Sequence, residues 1–172
     1  MVTLAFDVGI KNLAYCESDA DGQILRWDVL TVEGKQLSDQ SASLMSMLFD
    51  LFSDRDYANV LIENQPVMKN PTMKSIQMMI YSFFVIAKQI GCQEVTNIRL
   101  VSASTKNRRC GTILGGTADT SYKSNKLRAI AATRRMITDG PNAIWLSKFE
   151  SSKKRDDLAD AYLMTLEEST CS

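Results

Sequence analysis

Acidic residues end apolar runs at three separate places, and this constrains the chain more than any bulk property. Asp7 ends the run VTLAFD, Glu63 ends NVLIE, and Asp157 and Asp160 sit in KKRDDLADAYLMTL. A charge at the end of a buried strand is costly unless something pairs with it. One explanation covers all three places: they converge and hold a divalent metal ion. A carboxylate centre of that kind serves phosphoryl transfer, so the chain reads first as a metal-dependent enzyme acting on phosphate esters.

The rest of the composition narrows the chemistry. There is no histidine, which excludes a His-based triad or a His general base. The cysteines Cys16, Cys92, Cys110 and Cys171 form no CxxC pair, which disfavours zinc; they read as reduced, mostly buried thiols. Carboxylates without histidine or paired cysteine suit a hard ion such as Mg²⁺. A length of 172 residues fits one domain spanning 1–172. No apolar run approaches the ~20 residues of a membrane helix. Met1 leads at once into a strand-like segment, so no signal peptide is expected and the chain reads as soluble and intracellular.

The net charge of zero hides an uneven distribution. Residues 1–68 carry a net −7, residues 69–135 a net +10 and residues 136–172 a net −3. A middle third this basic points to a polyanion, with DNA or RNA the natural partner.

The pattern of elements is α/β. Val2–Asp7, Asn12–Cys16 and Gln23–Leu30 read as strands of an antiparallel meander, with Asp19, Asp21 and Gly22 in a turn. Residues 38–53 read as a helix capped by Ser38, with Leu44, Met45, Leu48, Leu51 and Phe52 toward the core. Asn59–Ile62 is a short strand ending at Glu63, and Pro66 closes it. Residues 72–90 predict the longest helix, capped by Thr72. It is apolar over more of its surface than one packing face requires, so it is either buried all round or turned toward a second subunit. Ile98–Val101 is a further strand. Residues 103–121 read as a Gly-, Ser- and Thr-rich loop carrying Arg108 and Arg109, and a loop that long is usually functional. Tyr122–Met136 is a basic helix, Gly140–Pro141 a break, and residues 154–167 the last helix.

Each acidic motif has its own logic. In FDVGIKN, Gly9 lets the backbone approach a ligand closely behind Asp7. In LIENQP, Glu63 follows three apolar strand residues. In KKRDDLADAYL, the helical wheel puts Leu158, Ala159, Tyr162, Leu163 and Leu166 on one apolar stripe. Asp157 and Asp160 fall on the other side, three residues apart, where they can point at one spot. Asp156 also lies near Asp160 on the wheel and competes with Asp157 for the same role.

The ordered set of strand–Asp, strand–Glu and helical DxxDA resembles the RuvC-type branch of the ribonuclease H-like superfamily. The wording DVGIKNLA, IENQPVMKNPTMKSIQ, YKSNKLRA and KKRDDLADAYL, over residues 2–166, resembles the Holliday junction resolvases of poxviruses and related large DNA viruses, and those of fungal mitochondria. That resemblance implies a ribonuclease H-like fold, a mixed sheet of about five strands flanked by helices. It implies that Asp7, Glu63, Asp157 and Asp160 bind two Mg²⁺ ions, with Mn²⁺ able to substitute. It implies a basic residue assisting at the scissile phosphate, with Lys126 as the counterpart and Lys123 and Lys106 next. The resemblance further implies a homodimer that cuts branched double-stranded DNA, and the apolar helix 72–90 is the candidate for its interface. A viral replication site in the host cytoplasm, or a mitochondrion, is the implied location. Lys69, Asn70, Lys74, Lys106, Arg108, Arg109 and Lys123 are the candidate DNA contacts.

Three other readings are open at this point. The same fold with another substrate is a ribonuclease H-like nuclease acting on flaps or RNA–DNA hybrids. A catalytically dead nucleic-acid-binding module is a second. The DVG segment also resembles the first phosphate loop of actin-like ATPases, but those need two related domains, so no nucleotide cofactor is expected.

Overall fold

The computed structural model describes residues 1–66, 70–115 and 122–166, and only the backbone of Tyr122 and Lys123. Five strands form one mixed sheet: β1 (Thr3–Asp7), β2 (Leu13–Ser18), β3 (Ile24–Leu30), β4 (Tyr57–Glu63) and β5 (Val95–Val101), in the order β3-β2-β1-β4-β5. β1 to β3 are the expected antiparallel meander, while β4 pairs parallel with β1 and β5 parallel with β4. The helices are α1 (Leu37–Phe52), α2 (Pro71–Gln89), α3 (Ala103–Leu114), α4 (Tyr122–Ile137), α5 (Leu146–Ser151) and α6 (Arg155–Thr165), with a 3-10 turn at Pro141–Trp145. This is the α/β arrangement the pattern of elements predicts. Among the described residues, no helix is long and apolar enough to cross a membrane.

Strand alternation divides the core between the two faces. Leu4, Phe6, Leu13, Tyr15, Val60 and Ile62 pack with Leu44, Leu48 and Phe52 of α1 and Ile76, Ile80 and Phe84 of α2. On the opposite face, Ala14, Cys16, Ile24 and Trp27 pack with α4, α5 and α6. Near the middle of that second face, Ala5, Leu61 and Val101 meet Met164 of α6. Side chains two apart on a strand share a face. Asp7 therefore points with Ala5, and Glu63 with Leu61, toward α6.

Trp27 anchors α6 against the sheet. Its indole donates to the Leu158 carbonyl at 2.9 Å and stacks on Phe149 with centroids 5.3 Å apart. Asn142, in the 3-10 turn, accepts from the Ile24 amide at 2.7 Å and donates to the Gly22 carbonyl at 3.0 Å. α6 is buried on more sides than one apolar stripe: Leu158, Ala159, Ala161, Tyr162, Leu163, Met164 and Thr165 are all inside.

The helix boundaries differ from expectation where capping chemistry decides. α1 starts from Gln36 rather than Ser38, with the Asp39 carboxylate accepting from the Gln36 amide at 3.3 Å. α2 is capped by Asn70 rather than Thr72. The Asn70 side chain accepts from the Met73 amide at 3.2 Å, and Pro71 takes the first helical position, where its missing N–H costs nothing.

The larger correction concerns residues 103–121, read as a loop. Ala103–Leu114 is a three-turn helix, capped by the Ser102 hydroxyl and ended at Gly115 with φ 73°. Its buried positions are Lys106 and Cys110, one turn apart. The inward face thus carries a cation and a thiol in place of an apolar stripe, so hydrophobic periodicity could not reveal it. The remainder of that segment, 116–121, lies outside the described residues. The helix 72–90 is not buried all round either: Ile76, Gln77, Ile80, Phe83 and Phe84 are inside, while Met78 and Ile86 are exposed. Among the cysteines, Cys16 and Cys110 are buried, Cys92 is exposed and Cys171 lies outside the described residues.

A second polar cluster holds the sheet to α1. Glu17 is fully buried on β2. Arg26 of β3 grips it with two hydrogen bonds, that of Nε to Oε2 being 2.6 Å, and Tyr57 of β4 donates to Oε1 at 2.6 Å. Arg26 also donates to the Leu51 carbonyl at 2.6 Å and lies over the Phe52 ring. A buried carboxylate stripped of its partner is left uncompensated. Arg26→Met should lower stability by about 3–5 kcal/mol in urea denaturation. The double change Arg26→Met with Glu17→Leu should recover much of that loss.

Candidate active site

Register brings the first two acids together. Phe6 pairs with Ile62 across the parallel β1–β4 ladder, so Asp7 and Glu63 are the next residues along the same edge. Both strands run the same way, so their ends meet at one edge of the sheet. β5 is also parallel, and it delivers the first turn of α3 above that edge. α6 crosses the same face and brings Asp160.

Lys106 of α3 stands at the centre. Its Nζ donates to Asp7 Oδ1 at 3.0 Å, Glu63 Oε1 at 2.9 Å and Asp160 Oδ2 at 2.8 Å. The lysine is 6% exposed and Asp7 8% exposed, so these two charges lie largely out of water and interact strongly, while Glu63 and Asp160 are half-buried along the cleft. Burial pushes the Asp7 and Asp160 carboxyls above their ordinary range, against the pull of the ammonium. Burial acts the same way on Glu63, but Lys106 and hydrogen bonds from its neighbours outweigh it and hold that carboxyl low. Burial alone would depress the Lys106 ammonium, yet the charges of Asp7, Asp160 and Glu63 raise it well above the usual lysine range.

Asp157 lines the same cleft as Asp7, Glu63, Lys106 and Asp160. Its Oδ2 is buried without a hydrogen-bond partner. Burial, aided by the adjacent Asp156 charge, pushes its carboxyl up to about 6. Asp156 points elsewhere and pairs with Lys126 of α4. The two acids that the helical wheel left equivalent are therefore separated by the tertiary structure.

The donor set fits a hard divalent ion. Four carboxylates face one cleft, one of them carries an orphaned oxygen, and a cation already stands among the other three. Among the described residues, no three acidic, Cys or His side chains are drawn in tightly enough to enclose an ion unaided. The Lys106 ammonium stands among Asp7, Glu63 and Asp160.

The surroundings orient Glu63 and shape the cleft. Gln65 donates to Glu63 Oε2 at 2.6 Å, and its own amide N–H donates to the buried Gln77 of α2 at 2.7 Å. Sequence reading overlooked Gln65, although its place just after Glu63 in IENQP was the available signal. Lys11, Lys126 and Lys154 also line the cleft, with Asn12, Asn107 and Asn125. With its amide turned to suit, Asn12 accepts from Lys154 Nζ at 3.0 Å.

The candidate DNA contacts are scattered by comparison. Lys74 donates to Asn64 and Gln77, both at 3.1 Å, and so braces the loop after Glu63. Asn70 caps α2. Arg108 is exposed and Arg109 half-buried on α3, and neither lines the cleft. Lys69 and the Lys123 side chain lie outside the described residues.

Gly9 is held for a steric reason. A Cβ there would stand 2.6 Å from the Asn12 carbonyl oxygen, which is backbone and cannot swing away. Gly9→Ala should open the Gly9–Asn12 turn and cost about 1–3 kcal/mol, read by thermal denaturation of the two proteins.

Several known proteins share this architecture. The yeast mitochondrial Holliday junction resolvase Ydc2 superposes with a TM-score of 0.66 over 95% of this chain and 76% of that one, at 19% identity. RuvC of T. thermophilus in complex with Holliday junction substrate gives 0.56 over 95% and 90%, at 10% identity. At such identities the likeness is one of fold: it bears out the expected five-stranded sheet of the ribonuclease H-like class. A protein of Acanthamoeba polyphaga mimivirus is 33% identical over 116 residues, covering 60% of this chain. The aligned part is 27% of that relative, so the chain spans about a quarter of its length. The model of the family described as Poxvirus A22 protein matches residues 1–169, nearly the whole chain, and the protein belongs to that family.

Proposed function

We propose that this protein is a divalent-metal-dependent nuclease that cuts four-way DNA junctions by paired, symmetric nicks. The observation that carries this reading is the meeting of Asp7, Glu63 and Asp160, from two strands and a helix, at one buried point with Asp157 beside it. The names of the structural relatives, both acting on or bound to Holliday junctions, support the choice of substrate.

Asp7, Glu63, Asp157 and Asp160 are the residues that would hold Mg²⁺, two ions in all, with Mn²⁺ as a substitute. The bound metal supplies compensation for charge on the phosphate and a water activated for attack. The chain's own residues do the positioning. Gln65 fixes the Glu63 carboxylate, and the packing of α6 fixes Asp160. Lys11, Lys126 and Lys154 offer positive charge along the cleft, where a phosphate backbone can lie without being read for sequence. Lys126 assists at the scissile phosphate from its place beside Asp156.

Symmetric cutting of a junction needs two sites related by a two-fold axis. The face between α1 and α2 suits that role. Phe49, Ile86 and Ile90 are 66%, 57% and 66% exposed along one apolar groove, which Met45, Met78 and Phe83 continue. Apolar and Met-rich surfaces of this kind favour self-association. Ile86→Glu should shift the sedimenting species from dimer to monomer, while changing stability by less than ~1 kcal/mol because the side chain is exposed. A variant that still sediments as a dimer would remove this face from consideration.

The function itself is tested on a synthetic four-way junction with Mg²⁺ and with EDTA. Wild-type protein should nick opposing strands at matched positions only with the metal. Asp7→Asn and Asp160→Asn should each lose at least ~10²-fold in cleavage rate while still shifting the junction on a native gel. Normal cutting by both variants would sink the reading. Preferential cutting of a flap or an RNA–DNA hybrid would keep the nuclease and change its substrate.

A further inference from the structure

Lys106 stands among the acids at the place a divalent ion would take, and assistance at a scissile phosphate does not by itself explain why its ammonium is turned inward onto three carboxylates. Its ammonium lies 2.8 to 3.0 Å from a carboxylate oxygen of each of Asp7, Glu63 and Asp160. It satisfies all three donors of the ammonium at once, which is the full hydrogen-bonding capacity of the group. The three acids come from β1, β4 and α6, which share no other ionic link at this edge among the described residues. Three like charges brought within a few ångströms in a buried cleft repel strongly, and a single cation among them removes most of that repulsion. The lysine is delivered by α3, whose inward face otherwise carries only Cys110 among its buried positions. An aliphatic residue at 106 would have been the ordinary way to bury that turn.

We propose that Lys106 is a built-in stand-in for the divalent ion. Its ammonium neutralises the carboxylate cluster in the metal-free protein and leaves the cluster when the metal enters. Metal affinity is then set by competition inside the chain. The protein keeps a folded site without metal and takes up the ion only where its concentration is sufficient to displace the lysine. A cation already present also explains how four acids converge in one cleft without requiring metal for folding, since the ammonium supplies the charge locally. The long lysine stem permits the exchange with little movement of α3, because its four methylene groups can swing while the helix stays capped by Ser102. The freed ammonium remains at the mouth of the cleft beside Asn107 and Asn125, where a phosphate of the substrate is an available counter-charge. This inference rests on the metal-centre reading of the acids, and its tests measure binding rather than cleavage.

Two sets of measurements decide it, one on a variant and one on the wild-type chain. Lys106→Met keeps an unbranched stem one atom shorter and removes the charge. Calorimetric titration with Mn²⁺ alone should show the variant binding at least ~10-fold more tightly than wild type. The same variant should melt below wild type in EDTA and gain more in melting temperature on adding Mn²⁺. The second measurement uses the wild-type chain: reductive methylation of lysines, read residue by residue by mass spectrometry. Lys106 should resist methylation in EDTA and react several-fold faster with saturating Mg²⁺. Equal Mn²⁺ affinity in the two proteins, or Lys106 reactivity that metal leaves unchanged, overturns the inference while leaving the metal centre in place. Failure of both proteins to bind Mn²⁺ overturns the metal-centre reading, and this inference with it. A variant that does not fold in EDTA but folds with Mn²⁺ supports the exchange.

Discussion

Three carboxylates gathered around one buried ammonium form the interaction on which the arrangement of this protein turns. Each acid alone would be expensive to bury, and together they would repel. Their convergence is possible because β1, β4 and β5 run parallel, so that the ends of two acidic strands and the start of α3 share one edge of the sheet. α6 completes the set only because it is held rigidly. Trp27, Phe149 and Asn142 tie the helix and the turn before it to β3. The fold thus spends its most specific packing on the element that carries two of the acids.

The two buried charged clusters lie on different strand ends and do different things. Glu17 with Arg26 and Tyr57 is closed: every oxygen of the carboxylate has a donor, and the partners are drawn from β3 and β4. It reads as a structural tie between sheet and α1. The cluster at Asp7 is open: it lines a cleft, leaves Asp157 Oδ2 without a partner, and has the single Lys106 ammonium as its counter-charge. Satisfaction of hydrogen bonds, more than burial, separates the closed cluster from the candidate site.

Much of the candidate site was legible in residue order. Asp7 and Glu63 could be found because an acid after an apolar strand run is locally unfavourable, so its presence needs a reason. Asp157 and Asp160 could be found from the helical period. What was not legible is instructive. α3 was mistaken for a loop because its inward residues are Lys106 and Cys110, and a periodicity argument looks for apolar residues at buried positions. Lys106 was placed among the candidate DNA contacts and possible aids at the phosphate, and the structure puts it at the centre of the acids. Gln65 was missed because a polar residue two beyond a strand end looks like ordinary loop. The expected caps Ser38 and Thr72 were displaced by Gln36 and Asn70, since capping depends on where the first helical turn is anchored and not on the best-ranked residue nearby.

By itself, the sequence determined the class of fold, the family, the absence of histidine chemistry and the four acids on three elements. The fold class and the acids depend on local rules, in which residue type and spacing are enough, while the family was legible only as a resemblance of ordered motifs. The tertiary structure alone decided which of Asp156 and Asp157 faces the cleft, that Lys126 pairs with the former, and that Lys106 joins acids 43 to 99 residues away along the chain. The reason is physical: a helical wheel specifies direction around one axis but not what stands opposite. Which charge meets which is settled only when β5 hands the chain to α3 above the same edge where β1 and β4 end.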